Sequence, residues 1–342
     1  MQAIQLGLDT FGDVTSTADG KALSPAETLR AIVKEAVLAD EVGVDVFGIG
    51  EHHRADYAVS APDTVLAAIG ASTKQIHVSS AVTVLSSEHP VRVYERFASL
   101  QGLTSGRAEI VVGRGAYTES FPLFGLSLDR YEELFEDRPD LFSHLLSGKP
   151  VTWKGTTRSA LENQRVHPAL DSPLPAWVAI GGSPHSVVRA AKYGLPVVFA
   201  IIGGAPSRMA PLADLYRKSL QEYGYDPQPV AIHSPGYIAA SDEQAREEFW
   251  PHYREVMDRL AHERGFSPMT RDRYEADATN SALMIGSPNT VAPRIADALQ
   301  SMGATRFSMK YSSGHMPHEM ALKSIELYGT EVAPRVRELL QP

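Results

Sequence analysis

The sequence of 342 residues contains no cysteine. This absence excludes disulfide bonds, thiolate metal ligands and thiol nucleophiles together. It is compatible with a reducing compartment, and the sequence starts Met1-Gln2-Ala3-Ile4 without the basic region and apolar run of a secretion signal. We therefore expect a cytoplasmic protein.

Long apolar runs and basic stretches are also missing. No stretch approaches the roughly 20 apolar residues that are needed to span a bilayer. The formal net charge is -9 with a pI near 5.7, and such a charge repels a phosphodiester backbone. We therefore predict that neither a membrane nor a nucleic acid is a partner.

Short apolar, β-branched runs alternate along the chain with longer amphipathic stretches, as in a parallel sheet wrapped by helices. Eight such cycles predict a single (β/α)8 TIM barrel over residues 1–342, because barrels of this kind often exceed 250 residues as one domain. The predicted strands are Ala3 to Asp9, Val46 to Glu51, Ile76 to Leu85, Ala108 to Gly113, Ala176 to Ile180, Val197 to Ile202, Val230 to Ala239 and Thr305 to Lys310.

Several helix starts carry capping signals. Ser24-Pro25-Ala26-Glu27 has the serine and glutamate of a capping box, and Ser183-Pro184 and Ser287-Pro288 repeat the Ser-Pro start. Gly43 is placed as a C-terminal cap of the first helix.

Two segments interrupt the alternation after the fourth and seventh strand-helix regions. Ser147 to Pro173 contains a predicted hairpin through Val151 to Val166, and Phe266 to Gly286 is polar with little apolar periodicity. Both are predicted to be insertions, and we expect the second to be a mobile lid.

The active site of a β/α barrel lies at the C-terminal ends of its strands. Glu51-His52-His53 ends the second predicted strand, where an imidazole can act as an acid or base near neutral pH. Neighbouring strand residues point to opposite faces, so His52 and His53 are poorly placed to share a metal. We predict no metal site, and one of the two histidines is expected to be a hydrogen-bonded structural residue.

The fourth and fifth strands end in signals for anion binding. Arg114 lies between two glycines in Gly113-Arg114-Gly115, where its guanidinium suits a phosphate. Gly181 to Ser186 follows the fifth strand and supplies two hydroxyls and the free N–H groups of a helix N-terminus. Neighbouring strands would then hold one phosphate.

The chain resembles the bacterial luciferase-like flavin-dependent monooxygenase family over nearly its whole length. The stretches that carry this resemblance are Gly50 to His53, Ser79 to Leu85, His89 to Arg92, Ser105 to Glu109, Gly113 to Gly115, Phe121 to Gly125, Gly181 to Ser186, Gly194 to Pro196 and Gly286 to Pro288. Two features depart from the light-emitting members. Gly113 stands where they have a cysteine, and the segment taken as the lid is shorter, so light emission and a long-chain aldehyde substrate are not carried over.

The resemblance implies a barrel that binds reduced FMN and uses O2 to oxidise a small organic substrate. It identifies His52 as the active-site histidine, Arg114 and Ala116 as phosphate and ribityl contacts, and Ala81 and Val82 as a non-prolyl cis peptide beneath the flavin ring. It implies that the phosphate site is completed by Gly182, Ser183 and Ser186. A second phosphate arginine has Arg130 as its nearby candidate.

Several alternatives stay open. A deazaflavin in place of FMN would give hydride transfer without oxygen, and NAD(P)H would be used directly or through a partner flavin reductase. A flavin-binding protein without catalysis is a further reading, and a metal-dependent hydrolase ranks last. The resemblance also implies a homodimer.

Overall fold

The computed structural model describes residues 3–115 and 117–341. Its strands are β1 (Gln5–Thr10), β2 (Val46–Ile49), β3 (His77–Ser80), β4 (Thr83–Val84), β5 (Ala108–Gly113), β6 (Val151–Trp153), β7 (Leu161–Gln164), β8 (Ala176–Ile180), β9 (Val197–Ala200), β10 (Val230–Ile238), β11 (Met284–Gly286) and β12 (Arg306–Lys310). Its α-helices are α1 (Pro25–Glu41), α2 (Pro62–Ser72), α3 (Pro90–Leu103), α4 (Ser120–Leu123), α5 (Tyr131–Leu145), α6 (Pro184–Lys192), α7 (Ala210–Glu222), α8 (Asp242–Arg264), α9 (Arg271–Asn280), α10 (Pro288–Met302), α11 (His318–Leu327) and α12 (Ala333–Leu339).

Eight parallel strands close into a barrel in the order β1, β2, β3, β5, β8, β9, β10 and β12, with β12 paired again to β1. The predicted (β/α)8 architecture is confirmed. The predicted strands match to within a few residues at their ends. The exception is the run from Ile76 to Leu85, which divides into β3 and β4 on either side of the Ala81–Val82 peptide bond.

The predicted helix starts are observed at their serines. Ser24 and Glu27 form a complete capping box, and the Ser183 hydroxyl accepts a hydrogen bond from the Ser186 N–H. Ser287 precedes α10 but makes no side-chain cap. Gly43 has a φ of +80°, which fits the left-handed turn expected after α1.

The core has two layers because side chains of a barrel strand alternate between its inside and outside. A large cluster that includes Leu6 and Leu8 packs outward against the helices. A separate small cluster of Val111, Trp177 and Ala231 fills the barrel interior. Below this cluster, toward the N-terminal ends of the strands, lies a buried ion pair of Arg306 and Glu109.

The two inserted segments differ. Ser147 to Pro173 contains the predicted hairpin, as antiparallel β6 and β7. Phe266 to Gly286 was expected to be a lid, but its last residues, from Ser281 onward, belong to the core: Leu283 and Ile285 are fully buried and β11 pairs with β10. Mobility of the remaining part, which contains α9, stays a prediction.

Candidate active site

His52 lies directly beyond β2 in an aromatic cage at the C-terminal end of the barrel. Its ring centroid is 4.3 Å from that of Tyr57 and 5.1 Å from those of Phe11 and Tyr117. Burial lowers the pKa of His52 to about 4, although the nearby Asp13 carboxylate acts in the opposite direction. Among the described residues, the buried Nε2 has no hydrogen-bond partner. The imidazole is therefore neutral at pH 7, and Nε2 is not committed to a structural contact within that part of the chain.

His53 is the structural residue of the pair. Its Nε2 lies 3.0 Å from Oε1 of the buried Glu51, whose other oxygen accepts a hydrogen bond from the Val84 N–H. This arrangement uses both carboxylate oxygens of Glu51 to join β2 to β4. The expectation that one histidine is hydrogen-bonded structurally applies to His53.

A second buried histidine shares the mouth of the barrel. Nδ1 of His233, on β10, lies 2.9 Å from Oδ2 of Asp9, on β1. The His233 ring stacks on Phe11 at 5.8 Å, so Phe11 contacts both His52 and His233. Oδ1 of Asp9 is buried and has no hydrogen-bond partner.

Asp13 and Lys310 form an ion pair beside these residues, with 2.9 Å between Oδ2 and Nζ. Burial alone raises the pKa of Asp13, but the Lys310 charge and hydrogen bonds from Ser312 and Gly314 outweigh it and hold the pKa below its usual range. Asp13 therefore stays ionised under the aromatic cage. Asp9, Asp13, His233 and Lys310 were not singled out from the sequence.

The Ala81–Val82 peptide bond is cis, as the resemblance implies, and both residues are partly exposed at the barrel mouth. Glycines make room for this segment. A Cβ on Gly48 would lie 3.0 Å from the Ala81 Cβ, and one on Gly113 would lie 2.9 Å from a Val82 methyl group. A cysteine side chain at position 113 would therefore displace Val82. A role of Ala81 and Val82 beneath a flavin ring stays a prediction.

Arg114 extends from the end of β5 over α5. Its guanidinium carbon is 4.9 Å from the ring centroids of both Tyr131 and Phe135, and Nη2 contacts the Glu132 carboxylate. Nε of Arg114 has no hydrogen-bond partner in the part of the chain that the structure describes. The side chain thus keeps a free donor in an aromatic setting that orients the guanidinium plane.

Arg189, rather than Arg130, is the second arginine at this place. Arg130 forms an exposed ion pair with Glu133 three residues along the chain. Arg189, on α6, has a side chain that is only 8% exposed, and its guanidinium carbon lies 5.1 Å from the Phe135 ring centroid. The suggestion of Arg130 is therefore not supported by the contacts.

The first turn of α6 carries the other predicted phosphate contacts. Gly182 has a φ of +97°, which glycine adopts readily. Ser183 is exposed and Ser186 is half-buried, and their hydroxyl oxygens lie 2.9 Å apart. Ser186 and Arg189 are three residues apart and so lie on one face of α6. Ala116 lies outside the described residues.

Arg54 joins two loops and the end of helix α8 above the histidine cage. Its guanidinium bonds Asp56 at 3.1 Å and Glu119 at 2.6 Å, contacts Glu263 at the end of α8, and lies 4.4 Å from the Tyr117 ring centroid. These contacts hold Tyr117 over His52.

Within residues 3–115 and 117–341, no three histidine, aspartate or glutamate side chains are grouped to hold a metal ion. Across the same residues, no helix has both the length and the apolar content to cross a membrane.

The curated relatives that have an enzyme name include monooxygenases. The chain is 29% identical over 244 residues to the alkanal monooxygenase alpha chain of Photorhabdus luminescens, a match that covers 68% of this chain and 64% of the relative. The match thus spans less than two thirds of that relative's length.

Solved structures share the fold over the whole chain. Monooxygenase RslO1 from Streptomyces bottropensis superposes with a TM-score of 0.81 at 22% identity, covering 97% of this chain and 99% of that one. The FMN complex of the oxygenating constituent of 3,6-diketocamphane monooxygenase from Pseudomonas putida gives 0.75 at 20% identity, with complete coverage of both chains. An F420-dependent secondary alcohol dehydrogenase gives 0.73 at 20% identity, covering 98% and 99%.

The model of the luciferase-like monooxygenase family matches residues 10–306, which include β2 to β11, the histidine cage, Arg114 and Arg189. The resemblance that was read from the motifs is thereby confirmed. The chain belongs to the luciferase-like monooxygenase family.

Proposed function

We propose that this protein is an FMN-dependent monooxygenase that oxidises a small organic substrate. The observation that carries the proposal is that the Arg114 guanidinium, the N-terminus of α6 and the buried imidazole of His52 lie at the same end of one barrel. Family membership, the alkanal monooxygenase relative and the FMN complex of a protein with the same fold support this choice of cofactor.

The residues at the barrel mouth fit FMN. A phosphate would be held by Arg114 and by Ser183, Ser186 and the backbone of Gly182 at the start of α6. These groups offer unused donors, among them Nε of Arg114. The half-buried Ala81 and Val82 would support the flavin ring, and Ala116 is the proposed ribityl contact.

Reduced FMN, when bound, supplies the two electrons with which O2 gives one oxygen atom to a substrate and the other to water. The chain itself contributes position, exclusion of water and proton transfer. His52 can accept a proton at Nε2 and return it, because the ring is neutral at pH 7 and this nitrogen has no partner among the described residues. Phe11, Tyr57 and Tyr117 exclude water from this nitrogen.

A deazaflavin is the second candidate, since an F420-dependent dehydrogenase has the same fold. In that case the reaction is hydride transfer and needs no oxygen. We further propose a cytoplasmic homodimer that receives its electrons from NAD(P)H, either directly or through a partner flavin reductase.

Cofactor titration separates these candidates. Fluorescence titration of the protein with FMN, riboflavin and F420 should show the tightest binding for FMN. Stopped-flow measurement with reduced FMN and O2 should then show turnover that depends on an organic substrate. Tight binding of F420 alone, or FMN binding without oxygen consumption for any substrate class, would contradict the monooxygenase proposal.

Variants at His52 and Arg114 test the assigned roles. His52→Gln should leave the Kd for FMN unchanged and lower turnover by about 100-fold, the usual contribution of a proton-transfer residue. Arg114→Gln should weaken FMN binding with little effect on riboflavin. His53→Gln is the matched control at the neighbouring position. If it lowers turnover at least as much as His52→Gln does, the assignment of proton transfer to His52 is wrong.

A further inference from the structure

Two arginines converge on one aromatic ring and one carboxylate beside the predicted phosphate site. Arg114 comes from the end of β5 and Arg189 from α6, and their guanidinium carbons lie 4.9 and 5.1 Å from the Phe135 ring centroid. Glu132, one helical turn before Phe135 on α5, contacts Arg114 through Oε2. The same oxygen lies 3.9 Å from Nη1 of Arg189.

The burial of these groups is unequal. The Arg189 side chain is more than nine-tenths buried, whereas the Glu132 side chain is 68% exposed. Nη1 of Arg189 is 3.1 Å from the half-exposed Glu136, but among residues 3–115 and 117–341 neither this nitrogen nor Nε has a partner in hydrogen-bonding geometry. A buried guanidinium whose donors are not used is costly, and it indicates a ligand with more acceptor oxygens than one carboxylate.

The exposed carboxylate is easily displaced. Ion pairs with a solvent-exposed partner contribute little to stability, because water solvates the separated charge well. Glu132 can turn into solvent about its own side-chain bonds, while Arg189 is held by its packing on Phe135. The charges of Arg114 and Arg189 are balanced here by Glu132 and Glu136, so a phosphate must compete with these carboxylates for the two cations.

We propose that Arg189 is the second cation of the phosphate site and that the Glu132 carboxylate competes with the phosphate for Arg114 and Arg189. This inference rests on the proposed binding of FMN and extends it to the residues that set its affinity. The ligand class is a phosphomonoester, whose dianion has three terminal oxygens for the guanidinium donors and the α6 N-terminus. Riboflavin has the same ring system without the phosphate, so its binding should not depend on Arg189 or Glu132.

The test compares Glu132→Gln and Arg189→Gln with the natural protein by fluorescence titration of FMN and riboflavin. Glu132→Gln removes the competing charge and should lower the Kd for FMN about three- to fivefold. Arg189→Gln should raise it at least about tenfold, the usual loss with a charge-assisted hydrogen bond. In both variants the Kd for riboflavin should stay the same.

Glu133→Gln is the matched control, because Glu133 is the next residue on α5 and pairs with the exposed Arg130. It should change neither Kd. Arg189→Lys keeps the charge in case the glutamine variant folds poorly, and it should give an intermediate Kd for FMN. The inference would be overturned if the Kd values for FMN and riboflavin changed by the same factor, or if the Kd for FMN were unchanged in Glu132→Gln.

The outcomes also distinguish this inference from the proposed reaction. If the protein oxidises a substrate with FMN, but the ratio of the Kd for FMN to that for riboflavin is the same in the variants as in the natural protein, only the inference is refuted. If this ratio changes as expected in both variants but no substrate is oxidised, the inference is supported and the monooxygenase proposal is refuted. A natural protein that does not bind FMN would refute both.

Discussion

The buried imidazole of His52 should make the protein less stable in acid by an amount that can be measured. A histidine outside a protein has a pKa near 6.5, and burial lowers that of His52 to about 4. Between these values the unfolded chain takes up a proton at this position and the folded chain does not. The free energy of unfolding therefore decreases as the pH falls through 6.5, and the decrease is complete below pH 4.

The size of this effect follows from the shift. At about 1.4 kcal/mol per pKa unit, the full penalty is about 3 kcal/mol, and about 2 kcal/mol of it is already present at pH 5. The contribution is absent above pH 7.5, where both states are neutral. Other histidines with a lowered pKa, such as His89 and His252, are shared by the natural protein and its variants and cancel in a comparison.

Urea unfolding of the natural protein and of His52→Gln at pH 7.5 and pH 5 measures the difference. The natural protein should lose about 2 kcal/mol more than the variant between these pH values. His185→Gln is the control, since this side chain is 73% exposed, and its loss should equal that of the natural protein. Parallel losses in all three proteins, or an NMR titration of His52 with a midpoint above pH 6, would refute the reasoning.

Two further substitutions test the buried ion pair and the barrel mouth. Glu109→Gln leaves the buried guanidinium of Arg306 without its carboxylate, so urea unfolding should show a free energy of unfolding that is lower by about 3–5 kcal/mol. Glu331→Gln breaks an exposed ion pair with Arg335 and should lower it by less than about 1 kcal/mol. Equal losses in the two variants would show that the buried pair contributes no more to stability than the exposed one. Gly50→Ala places a Cβ 2.5 Å from Cδ1 of Phe11 and 3.1 Å from the Ala81 carbonyl oxygen, so FMN titration should give a clearly higher Kd. Gly102→Ala, where a Cβ meets nothing within 4 Å, should bind FMN as the natural protein does, and equal Kd values for the two variants would mean that the Phe11 contact does not shape the site.

The strands and the position of His52 could be predicted because they depend on local sequence. Apolar runs between capped helices define each strand, and a barrel fixes which strand end carries the site. The lid expectation failed for Leu283 and Ile285, because a short apolar run after the polar α9 gives little periodicity. Its burial depends on pairing with β10, which is a tertiary contact.

The missed site residues share a physical reason. Asp9 and His233 are 224 residues apart and meet only because β1 and β10 both flank β12. Arg189 lies in a helix with a polar face, where an arginine is usually solvated, and its burial requires Phe135 from another helix. Arg130 is the next arginine along the chain after Arg114, but the packing of α5 and α6 decides which arginine approaches Arg114.

Arg114 and Tyr117 follow β5 within a few residues of each other but pack against different parts of the barrel mouth. Arg114, at its start, is braced against Phe135, and Tyr117, three residues later, is clamped between Arg54 and His52. If a phosphate binds Arg114 as proposed, we expect the resulting shift of its side chain to change the position of Tyr117, which lies three residues later and covers His52. Binding of the proposed cofactor and the access of solvent to the His52 imidazole should therefore be coupled.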